Sequence, residues 1–453
     1  MRISVVYTNR NTYLCPAPVG GLLVAQRLAA DGHDVDFIDL MHMKKPADGL
    51  VAALHRHNPD LVCFSIRNVD NMTMDAYADP LPDIAGYARH VRNTVRAPLL
   101  IGGTAVTTFP AQIRAMTGAD WAYAGDDVDP VSRFVASVAQ GAPDLATPGL
   151  VYADETGVHE NPFSICGYAD AHFGGWERID LKKYRKGYFD CGVVTCTGCP
   201  HGCSFCDAHR TFGRDYRPRD SRTVVEELIE LERRFGARSV FLINNGLNYP
   251  LESGKELLAR IAQAKLKLSF SCIIEPGPMD AEFARLLFRA NCSSAMIFGS
   301  TLDDAALERN QPHYRSADIA QIAGHLSDAN VPFMLGLMFG GIGETGEGVK
   351  RSLDSSLAMK PVMRIMGTGF RIQPDTPLRD AAVAEGQITA DDDCFTARFY
   401  EPADTSTAEI RAIIRQFSRS HPFENLRMLG FVARSIREGL FGRSRRASGD
   451  WKI

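Results

Sequence analysis

Short apolar runs alternate with longer amphipathic stretches over the first third of the chain. Runs such as Leu61–Ser65 and Trp121–Ala124 are typical of strands that are buried on both faces of a parallel sheet. Between such runs, the apolar positions of Gly20–Asp31 and Ala47–His57 recur with the helical period. This alternation predicts a doubly wound, Rossmann-like α/β domain over residues 1–145, with ligands at the carboxyl ends of its strands.

The same alternation returns after a connector over residues 146–189, which carries one short predicted hairpin. Residues 190–385 are predicted to form a partial (β/α)6 barrel, whose active residues would lie at the carboxyl ends of the strands. Its six predicted strands are Cys191–Thr195, Ser239–Ile243, Leu268–Ile274, Ser294–Phe298, Phe333–Phe339 and Met366–Ile372. Residues 386–453 are predicted to be a small helical region with helices near Thr407–Ser418 and Glu424–Glu438.

Composition narrows the class of protein. The 453 residues are 45% hydrophobic and carry a net charge of −4, which argues against a nucleic-acid partner and suits a cationic small molecule. No run of about 18 apolar residues occurs, so we expect no membrane span. The first residues already have a strand pattern, so we expect no signal peptide. The 11 cysteines are clustered rather than spread as pairs, which indicates a reducing, cytoplasmic setting.

Three of those cysteines form the pattern C-x3-C-x2-C just after the first predicted barrel strand: Cys199, Cys203 and Cys206. Thiolates are soft ligands that suit iron–sulfur clusters or zinc. Three ligands would leave one iron of a [4Fe–4S] cluster open to a small molecule. The alternative is a four-cysteine zinc site that includes Cys196, but the two cysteine pairs stand closer together than is usual for such sites.

Further motifs follow the cysteines in order. Phe212–Arg219 is a basic phrase, Gly340–Thr345 resembles the turn G-x-P-G-E-T, and Pro374–Leu378 resembles P-G-T-P-L. With the cysteine spacing, these motifs make the chain resemble the radical S-adenosylmethionine (SAM) enzymes. The resemblance implies a [4Fe–4S] cluster whose open iron chelates SAM. It also implies an electron donor, such as a reductase, flavodoxin or ferredoxin, that drives SAM cleavage to a 5′-deoxyadenosyl radical. Arg217 and Arg219 would neutralise charge on the cluster or SAM.

The resemblance also points to residues that bind SAM at the ends of the barrel strands. Relatives often carry acidic residues after the second strand, and G-x-E-S after the fourth, so amides and hydroxyls here are departures from the pattern. The glycines after the fifth strand would allow close backbone approach to the adenosine of SAM. The candidates are Asn244, Asn245, Ser300, Thr301, Gly340, Gly341 and Gly343.

Two further residues are candidates for catalysis. Glu275 ends the third predicted strand and could contact the substrate; a solvated loop carboxylate is the alternative. Tyr216 lies in the basic phrase and could transfer a proton in the site. A packing tyrosine with a bonded hydroxyl is the alternative there.

The N-terminal domain resembles the cobalamin-binding domain that precedes many radical SAM cores. Glycines at Gly102 and Gly103 would let the backbone approach the nucleotide tail of the cofactor. Ser65 stands at the serine of the S-x-L motif, but Arg67 replaces the leucine. The D-x-H-x-x-G motif is missing from Tyr7–Thr12, so bound cobalamin would lack the histidine ligand, with Arg67 beneath the cobalt in one interpretation. In the other interpretation the domain no longer binds cobalamin.

Three functions remain open on the sequence. The degraded cobalamin motifs and mild acidity favour an enzyme that dehydrates a 1,2-diol of an amino sugar such as paromamine, a lyase of aminoglycoside antibiotic biosynthesis. The alternative is a cobalamin-dependent radical SAM C-methyltransferase of natural-product biosynthesis. A non-catalytic cluster protein or cobalamin-binding regulator is the third. Acidic side chains near Glu275 would support a cationic sugar, whereas an apolar lining would count against it.

Overall fold

The computed structural model describes residues 1–11, 15–163, 165, 167–168, 171–185 and 189–422. The chain divides into two compact units, which are described separately. Unit 1 consists of Met1–Asn71, Ala78–Val193 and Ala208–Gly213. Unit 2 consists of Met72–Tyr77, Val194–Asp207 and the chain from Arg214 onward. The predicted helix at Glu424–Glu438 lies outside the described residues.

Unit 1 is a seven-stranded sheet with helices, in the strand order β2-β1-β3-β4-β5-β6-β7. The strands are β1 (Arg2–Tyr7), β2 (Asp34–Asp39), β3 (Leu61–Ser65), β4 (Leu99–Gly102), β5 (Trp121–Tyr123), β6 (Leu150–Asp154) and β7 (Gly157–Glu160). The helices are α1 (Val19–Ala30), α2 (Pro46–His57), α3 (Leu81–Thr94), α4 (Thr104–Thr108), α5 (Pro110–Thr117), α6 (Val128–Ala139), α7 (Leu181–Tyr184) and α8 (Ala208–Phe212).

The first five strands of this sheet pair in parallel, as their continuous apolar runs predict. Tyr7 pairs with Ser65, and Ser65 pairs with Gly102, so the carboxyl ends of three strands lie side by side. The predicted hairpin of the connector extends the sheet, because β6 pairs antiparallel with β5.

The second large sheet has six strands in the order β8-β11-β12-β13-β14-β15. Its strands are β8 (Cys191–Val194), β11 (Ser239–Ile243), β12 (Ser269–Ile274), β13 (Cys292–Gly299), β14 (Phe333–Phe339) and β15 (Met363–Thr368). Two short strands, β9 (Cys196–Thr197) and β10 (Arg217–Pro218), form a separate antiparallel pair. The helices are α9 (Ser221–Arg233), α10 (Leu251–Ala264), α11 (Ala281–Arg289), α12 (Asp304–Asn310), α13 (Ser316–Asp328), α14 (Gly346–Met359), α15 (Pro377–Ala384) and α16 (Thr407–Ser420).

Parallel pairing from β11 to β15, with a helix after each of β11 to β14, confirms the predicted partial barrel. One face of this sheet is the core: Phe270, Ile297 and Leu335 are completely buried. The sixth strand begins earlier than predicted, at Met363 rather than Met366. It ends at Thr368 because Gly369, with φ of +84°, takes the backbone out of the extended region.

Candidate functional site

The cysteine loop leaves the barrel at β9 and returns at β10. Cys196 pairs with Pro218, which holds the two ends of the loop together. At its start, Gly198 has φ of +85°, and a Cβ there would lie 1.7 Å from the carbonyl oxygen of Asp215, so only glycine fits. The side-chain amide of Asn245 donates to the carbonyl of Gly198 at 2.7 Å. These contacts within the protein position the start of the cysteine loop.

Cys199, Cys203 and Cys206 are half-buried in this loop. Burial, followed by the charges of Cys206 and Cys199, raises the pKa of the Cys203 thiol to about 12, while the Gln311 amide, 3.7 Å from its sulfur, opposes the shift. The three thiols therefore lie near enough to act on one another electrostatically. Cationic iron would remove the cost of ionising them together.

The spacing of these sulfurs bears on the zinc alternative. Tetrahedral zinc with Zn–S bonds of about 2.3 Å holds its ligand sulfurs about 3.8 Å apart. Among the described residues, no three of the four cysteines, Cys196 included, bring their sulfurs within 4.8 Å of one another. This donor set fits a multi-iron cluster better than a single zinc ion.

Both predicted catalytic residues come together beside the loop. The Tyr216 hydroxyl donates to Glu275 Oε2 at 3.2 Å. Oε1 of the same carboxylate contacts the Nε2 atoms of His201 and His313, the latter at 3.2 Å. The two imidazoles stack with ring centroids 3.9 Å apart. The solvated-loop interpretation of Glu275 is therefore wrong, because this carboxylate is buried and carries three partners.

The electrostatics of this cluster are coupled. Burial tends to raise the pKa of Glu275, but hydrogen bonds from His201 and His313 outweigh it, so the pKa is lowered overall. Burial, followed by the Glu275 charge, raises the pKa of the Tyr216 phenol. The arrangement thus holds an ionised carboxylate between two imidazoles and a neutral phenol, which is a set of groups that can accept or pass a proton.

Two neighbours fix where Glu275 stands. The Asn248 side chain accepts from the Glu275 amide at 2.9 Å and donates to its carbonyl at 3.0 Å. A Cβ on Gly246 would lie 2.6 Å from the Cβ of Glu275 and 2.9 Å from its Oε2. A side chain at position 246 would therefore collide with Glu275, so this position requires glycine.

The predicted SAM-binding hydroxyls and amides at the other strand ends are partly engaged elsewhere. Asn244 is buried and donates to the Leu242 carbonyl at 2.8 Å. Thr301 is completely buried and bonds to Glu344 and Ser352. The Ser300 amide donates to the Gln311 side chain at 2.9 Å. These contacts support the barrel, and the SAM roles of Asn244, Ser300 and Thr301 stay predictions.

The glycine turn after β14 is tied to the cysteine loop by one buried residue, Asn310. Its side chain accepts from the Ile342 amide at 3.0 Å and donates to the Ile342 carbonyl at 2.9 Å. It also accepts from the Ser204 hydroxyl at 2.7 Å. A Cβ on Gly341 would lie 2.6 Å from the Asn310 Oδ1. Asn310 therefore requires glycine at this point of the turn.

The other two turn glycines are constrained by their own packing. Gly340 has φ of +104°, and a Cβ there would lie 3.2 Å from the Gly369 nitrogen. Gly343 has φ of +69° and packs against Arg309. The turn shape thus follows from the protein itself, and its contact with adenosine stays a prediction.

Arg219 does not have the predicted role of neutralising a cofactor. Its guanidinium pairs with the Glu227 carboxylate through both nitrogens, at 2.5 and 3.0 Å, and donates to the Val194 carbonyl at 2.7 Å. The two side chains are 0% and 1% exposed. Arg219 is therefore a structural anchor between β8 and α9.

In unit 1, the predicted cobalamin residues share the carboxyl edge of β3 and β4. The Ser65 hydroxyl lies 3.3 Å from the position of a Cβ on Gly21, at the start of α1. Gly103 has φ of +107°, and a Cβ there would lie 2.4 Å from the Ile66 carbonyl oxygen. Gly102 is more open, with its nearest neighbour at 3.7 Å from such a Cβ.

Arg67 is exposed at the same edge and donates to the Asn68 side chain at 2.8 Å. Burial raises the pKa of the Tyr7 phenol, and the Arg67 charge opposes that shift, so the guanidinium lies close to the end of β1. At this edge of the sheet, Ser65, Gly102, Gly103 and the Arg67 guanidinium are the residues that would contact a bound cobalamin.

Two protein-family models match separate stretches of this chain. Residues 193–355 match the Radical SAM superfamily, and residues 7–135 match the B12 binding domain. The chain combines a B12-binding domain with a radical SAM domain. The two matches fall on the barrel with the cysteine loop and on the seven-stranded sheet, respectively.

Two curated relatives are similar to more than half of this chain. A hopanoid C-3 methylase of Methylococcus capsulatus is 26% identical over 275 residues, which are 59% of this chain and 49% of the relative. A tryptophan 2-C-methyltransferase of Streptomyces laurentii is 22% identical over 432 residues, with 79% of this chain and 70% of the relative covered. The chain therefore spans about half the length of the hopanoid methylase.

Solved structures support the fold. The radical SAM methyltransferase TsrM from Kitasatospora setae, with tryptophan and a SAM analogue bound, superposes with a TM-score of 0.77 at 20% identity, over 85% of this chain and 76% of TsrM. The cobalamin-dependent SAM radical enzyme OxsB, with aqua-cobalamin and SAM bound, gives 0.74 at 12% identity, over 97% and 72%. Both similarities establish the two-domain fold.

These comparisons correct two sequence expectations. Residues 7–135 still match the B12 binding domain, so the interpretation in which that domain has lost its cofactor is not supported. The hopanoid and tryptophan relatives are named as methylating enzymes, which supports the methyltransferase alternative. Dehydration of an amino sugar, with its lyase and aminoglycoside assignments, is not supported.

Among the described helices, none is both long enough and apolar enough to cross a membrane.

Sequence reasoning missed four residues of the site: His201, His313, Asn248 and Asn310. His201 lies inside the cysteine motif, where a polar residue beside a cluster was a usable signal. The other three stand in segments with no recognisable motif. The tertiary fold brings Asn248 and His313 to Glu275, and it brings Asn310 to the glycine turn.

Proposed function

We propose that this chain is a cobalamin-dependent radical SAM methyltransferase that acts on carbon. The observation that carries the proposal is the pairing of an intact three-cysteine loop with a B12-binding domain whose strand-end edge is glycine-lined and cationic. A dehydratase that abstracts hydrogen needs no methyl carrier, so the cobalamin-binding domain favours the methyltransferase. When bound, cobalamin and the cluster supply methyl-group transfer and electron transfer.

The residues of the cysteine loop would hold the cluster, and the surrounding chain fixes that loop. Cys199, Cys203 and Cys206 would be the ligands. Asn245 and Asn310 act as positioning residues, since they bond to Gly198 and Ser204 on either side of Cys199 and Cys203. In unit 1, Ser65, Arg67, Gly102 and Gly103 are the residues that would contact cobalamin.

Glu275, Tyr216 and the two histidines would orient the substrate and handle its proton. Replacing C–H by C–CH3 with one SAM releases one proton and one S-adenosylhomocysteine, so the site needs an acceptor. If hydrogen is abstracted instead, two SAM and two electrons give the methylated product, S-adenosylhomocysteine, methionine and 5′-deoxyadenosine. The product ratio therefore reports which balance this chain follows.

The test is anaerobic reconstitution with iron, sulfide and cobalamin, followed by addition of SAM, reductant and candidate substrates. We expect stoichiometric cobalamin, about four irons per chain, and S-adenosylhomocysteine that depends on added cobalamin. Cys199→Ala/Cys203→Ala/Cys206→Ala should lose the iron. Cys196→Ala is the matched control and should keep it, whereas loss of metal from that variant would restore the zinc alternative. Tight cluster loading without cobalamin binding would refute the methyltransferase.

A further inference from the structure

Two histidines and one glutamate beside the cysteine loop bring three metal-binding atoms together. Among the described residues, His201, Glu275 and His313 form the only set of three histidine, cysteine, aspartate or glutamate side chains whose ligand atoms all lie within 4.8 Å of one another. His201 belongs to the cysteine loop, Glu275 follows β12, and His313 lies between α12 and α13. Three distant segments of the chain therefore meet at one point. We call these three residues the His–Glu–His cluster.

The spacing of the His–Glu–His cluster fits one small divalent cation. A tetrahedral zinc ion with Zn–N and Zn–O bonds of about 2.1 Å holds its ligand atoms about 3.4 Å apart. Nε2 of His313 lies 3.2 Å from Oε1 of Glu275, and Nε2 of His201 contacts the same oxygen. Both rings thus present the same nitrogen to one carboxylate oxygen, where a shared cation would lie.

Contacts within the protein leave this arrangement incomplete. The rings of His201 and His313 stack with centroids 3.9 Å apart and planes 12° apart. Two protonated imidazoles stacked in this way would repel each other. Nε2 of His201 is buried and has no well-aligned hydrogen-bond partner among the described residues. A divalent cation would give that nitrogen a partner and would bind both rings in their neutral form.

Neighbouring residues already orient the Glu275 carboxylate as a ligand. The Tyr216 hydroxyl donates to Oε2 at 3.2 Å, which leaves Oε1 for the cation. The Asn248 side chain bonds to both the amide and the carbonyl of Glu275. Outer contacts of this kind orient the ligands of a metal site. The protein thus holds the carboxylate in place without help from a cation.

The donor set selects the kind of cation. Imidazole suits zinc and other late first-row metals, whereas magnesium and calcium prefer oxygen ligands. Three protein ligands leave a tetrahedral zinc ion one open position, as in catalytic rather than structural zinc sites. The His201 and His313 side chains are 16% and 19% exposed, so that position can be reached from outside.

We propose that His201, Glu275 and His313 bind one zinc ion, separate from the three-cysteine site, with water or a substrate oxygen or nitrogen atom in the fourth position. Zinc binding goes beyond the proposed methyltransferase function and does not depend on it. Only the use of the ion rests on that function: zinc would orient the substrate beside the cysteine loop. Exchange of water for the substrate atom breaks no bond of the substrate.

The test is zinc binding by the reconstituted chain after the cluster has been loaded. Zn2+ is titrated by calorimetry, and bound zinc is counted by mass spectrometry after gel filtration. We expect about one zinc ion per chain beyond the cluster iron. Two variants, His313→Ala outside the cysteine loop and Glu275→Gln of nearly unchanged size, should each weaken zinc binding at least about tenfold with iron retained.

His325→Ala is the matched control. His325 is a histidine of α13 outside the His–Glu–His cluster, and its ring contacts the Gln321 side chain. Zinc affinity of this variant should change less than about twofold. Mg2+ is the control cation, and the donor set predicts that it binds far more weakly than Zn2+.

Cobalt(II) gives a readout that does not depend on iron loading. It is added to Cys199→Ala/Cys203→Ala/Cys206→Ala, where imidazole and carboxylate ligands should give visible bands without thiolate-to-cobalt charge transfer. The further change His313→Ala should abolish those bands.

Three results would overturn the zinc site. They are no zinc beyond the cluster, unchanged zinc affinity in both His313→Ala and Glu275→Gln, and Mg2+ binding as tight as that of Zn2+. Zinc binding without methyl transfer would refute only the proposed function. Methyl transfer by a chain that binds no zinc would refute only the zinc site.

Discussion

The buried pair of Arg219 and Glu227 gives the most quantitative prediction. Arg219 closes the segment that carries the cysteine loop: its amide donates to the Thr195 carbonyl at 2.9 Å and its guanidinium to the Val194 carbonyl at 2.7 Å. We consider Arg219→Met, which keeps much of the volume but removes the charge. The Glu227 carboxylate would then remain buried without its cation.

The magnitude follows from that burial. Removing one partner of a fully buried ion pair costs about 3 to 5 kcal/mol, because the remaining charge is neither hydrated nor paired. For a unit of roughly 200 residues, this is a loss of about 6 to 20 °C in the midpoint of thermal unfolding. Arg260→Met is the matched control, since Arg260 pairs with Glu256 at a site where the two side chains are 36% and 58% exposed. Exposed pairs contribute about 1 kcal/mol or less.

The assay is thermal unfolding followed by far-ultraviolet circular dichroism on the metal-free chain, together with iron per chain after reconstitution. Arg219→Met should lower both the midpoint and the iron content, and Arg260→Met should change neither appreciably. The double variant Arg219→Met/Glu227→Leu should recover part of the stability, because no charge is left buried. An Arg219→Met midpoint that matches that of Arg260→Met, or a double variant less stable than Arg219→Met alone, would refute the reasoning.

Three further predictions test other contacts. Gly246→Ala places a Cβ 2.6 Å from that of Glu275 and should cut methyl transfer at least tenfold with iron retained. Gly277→Ala is the control, because a Cβ there meets nothing within 4 Å, and it should leave activity unchanged. Equal activities of the two variants would contradict a role of Gly246 in making room for Glu275. Asn310→Leu should lower the free energy of unfolding by about 1 to 3 kcal/mol. It should also reduce iron loading and the SAM affinity measured by calorimetry. Normal iron loading would count against the link that Asn310 makes between the cysteine loop and the glycine turn. Burial raises the pKa of Glu344 from 4.5 to about 7, so the unfolded chain ionises first, and the free energy of unfolding should fall by roughly 3 kcal/mol as the pH rises from 4.5 to 7. Glu344→Gln should flatten that dependence in urea titrations, and an unchanged slope would show that this carboxyl is already ionised.

Local patterns account for what could be predicted of the fold. Strands such as Leu61–Ser65 and Phe333–Phe339 have the bounds that their apolar runs predict. Such runs report burial directly, because a strand covered on both faces has no polar positions. The sixth barrel strand begins three residues and ends four residues before its predicted bounds. Gly369 ends it, and apolar residues beyond that glycine continue the pattern without continuing the strand.

The cysteine loop could be identified for the same reason, since its ligands lie within eight residues. The Glu275 cluster could be anticipated only in part. Tyr216 and Glu275 were chosen separately, and nothing in the sequence says that they touch. Arg219 shows the opposite error, because a basic residue beside a charged cofactor motif looks the same in sequence whether it faces the cofactor or a buried glutamate.

The sequence by itself determined the order of strands and helices and the pairing of two domains, and it predicts the three ligands of the cluster loop, because each depends on residues close together in the chain. Only the tertiary structure decided which distant side chains meet. His201, Glu275 and His313 converge although they come from the cysteine loop, from the end of β12 and from the segment between α12 and α13. The exposure of Phe298 is set by register, since a shift of one residue would turn that ring into the core. Contacts of this kind depend on pairing across many residues, which local periodicity does not record.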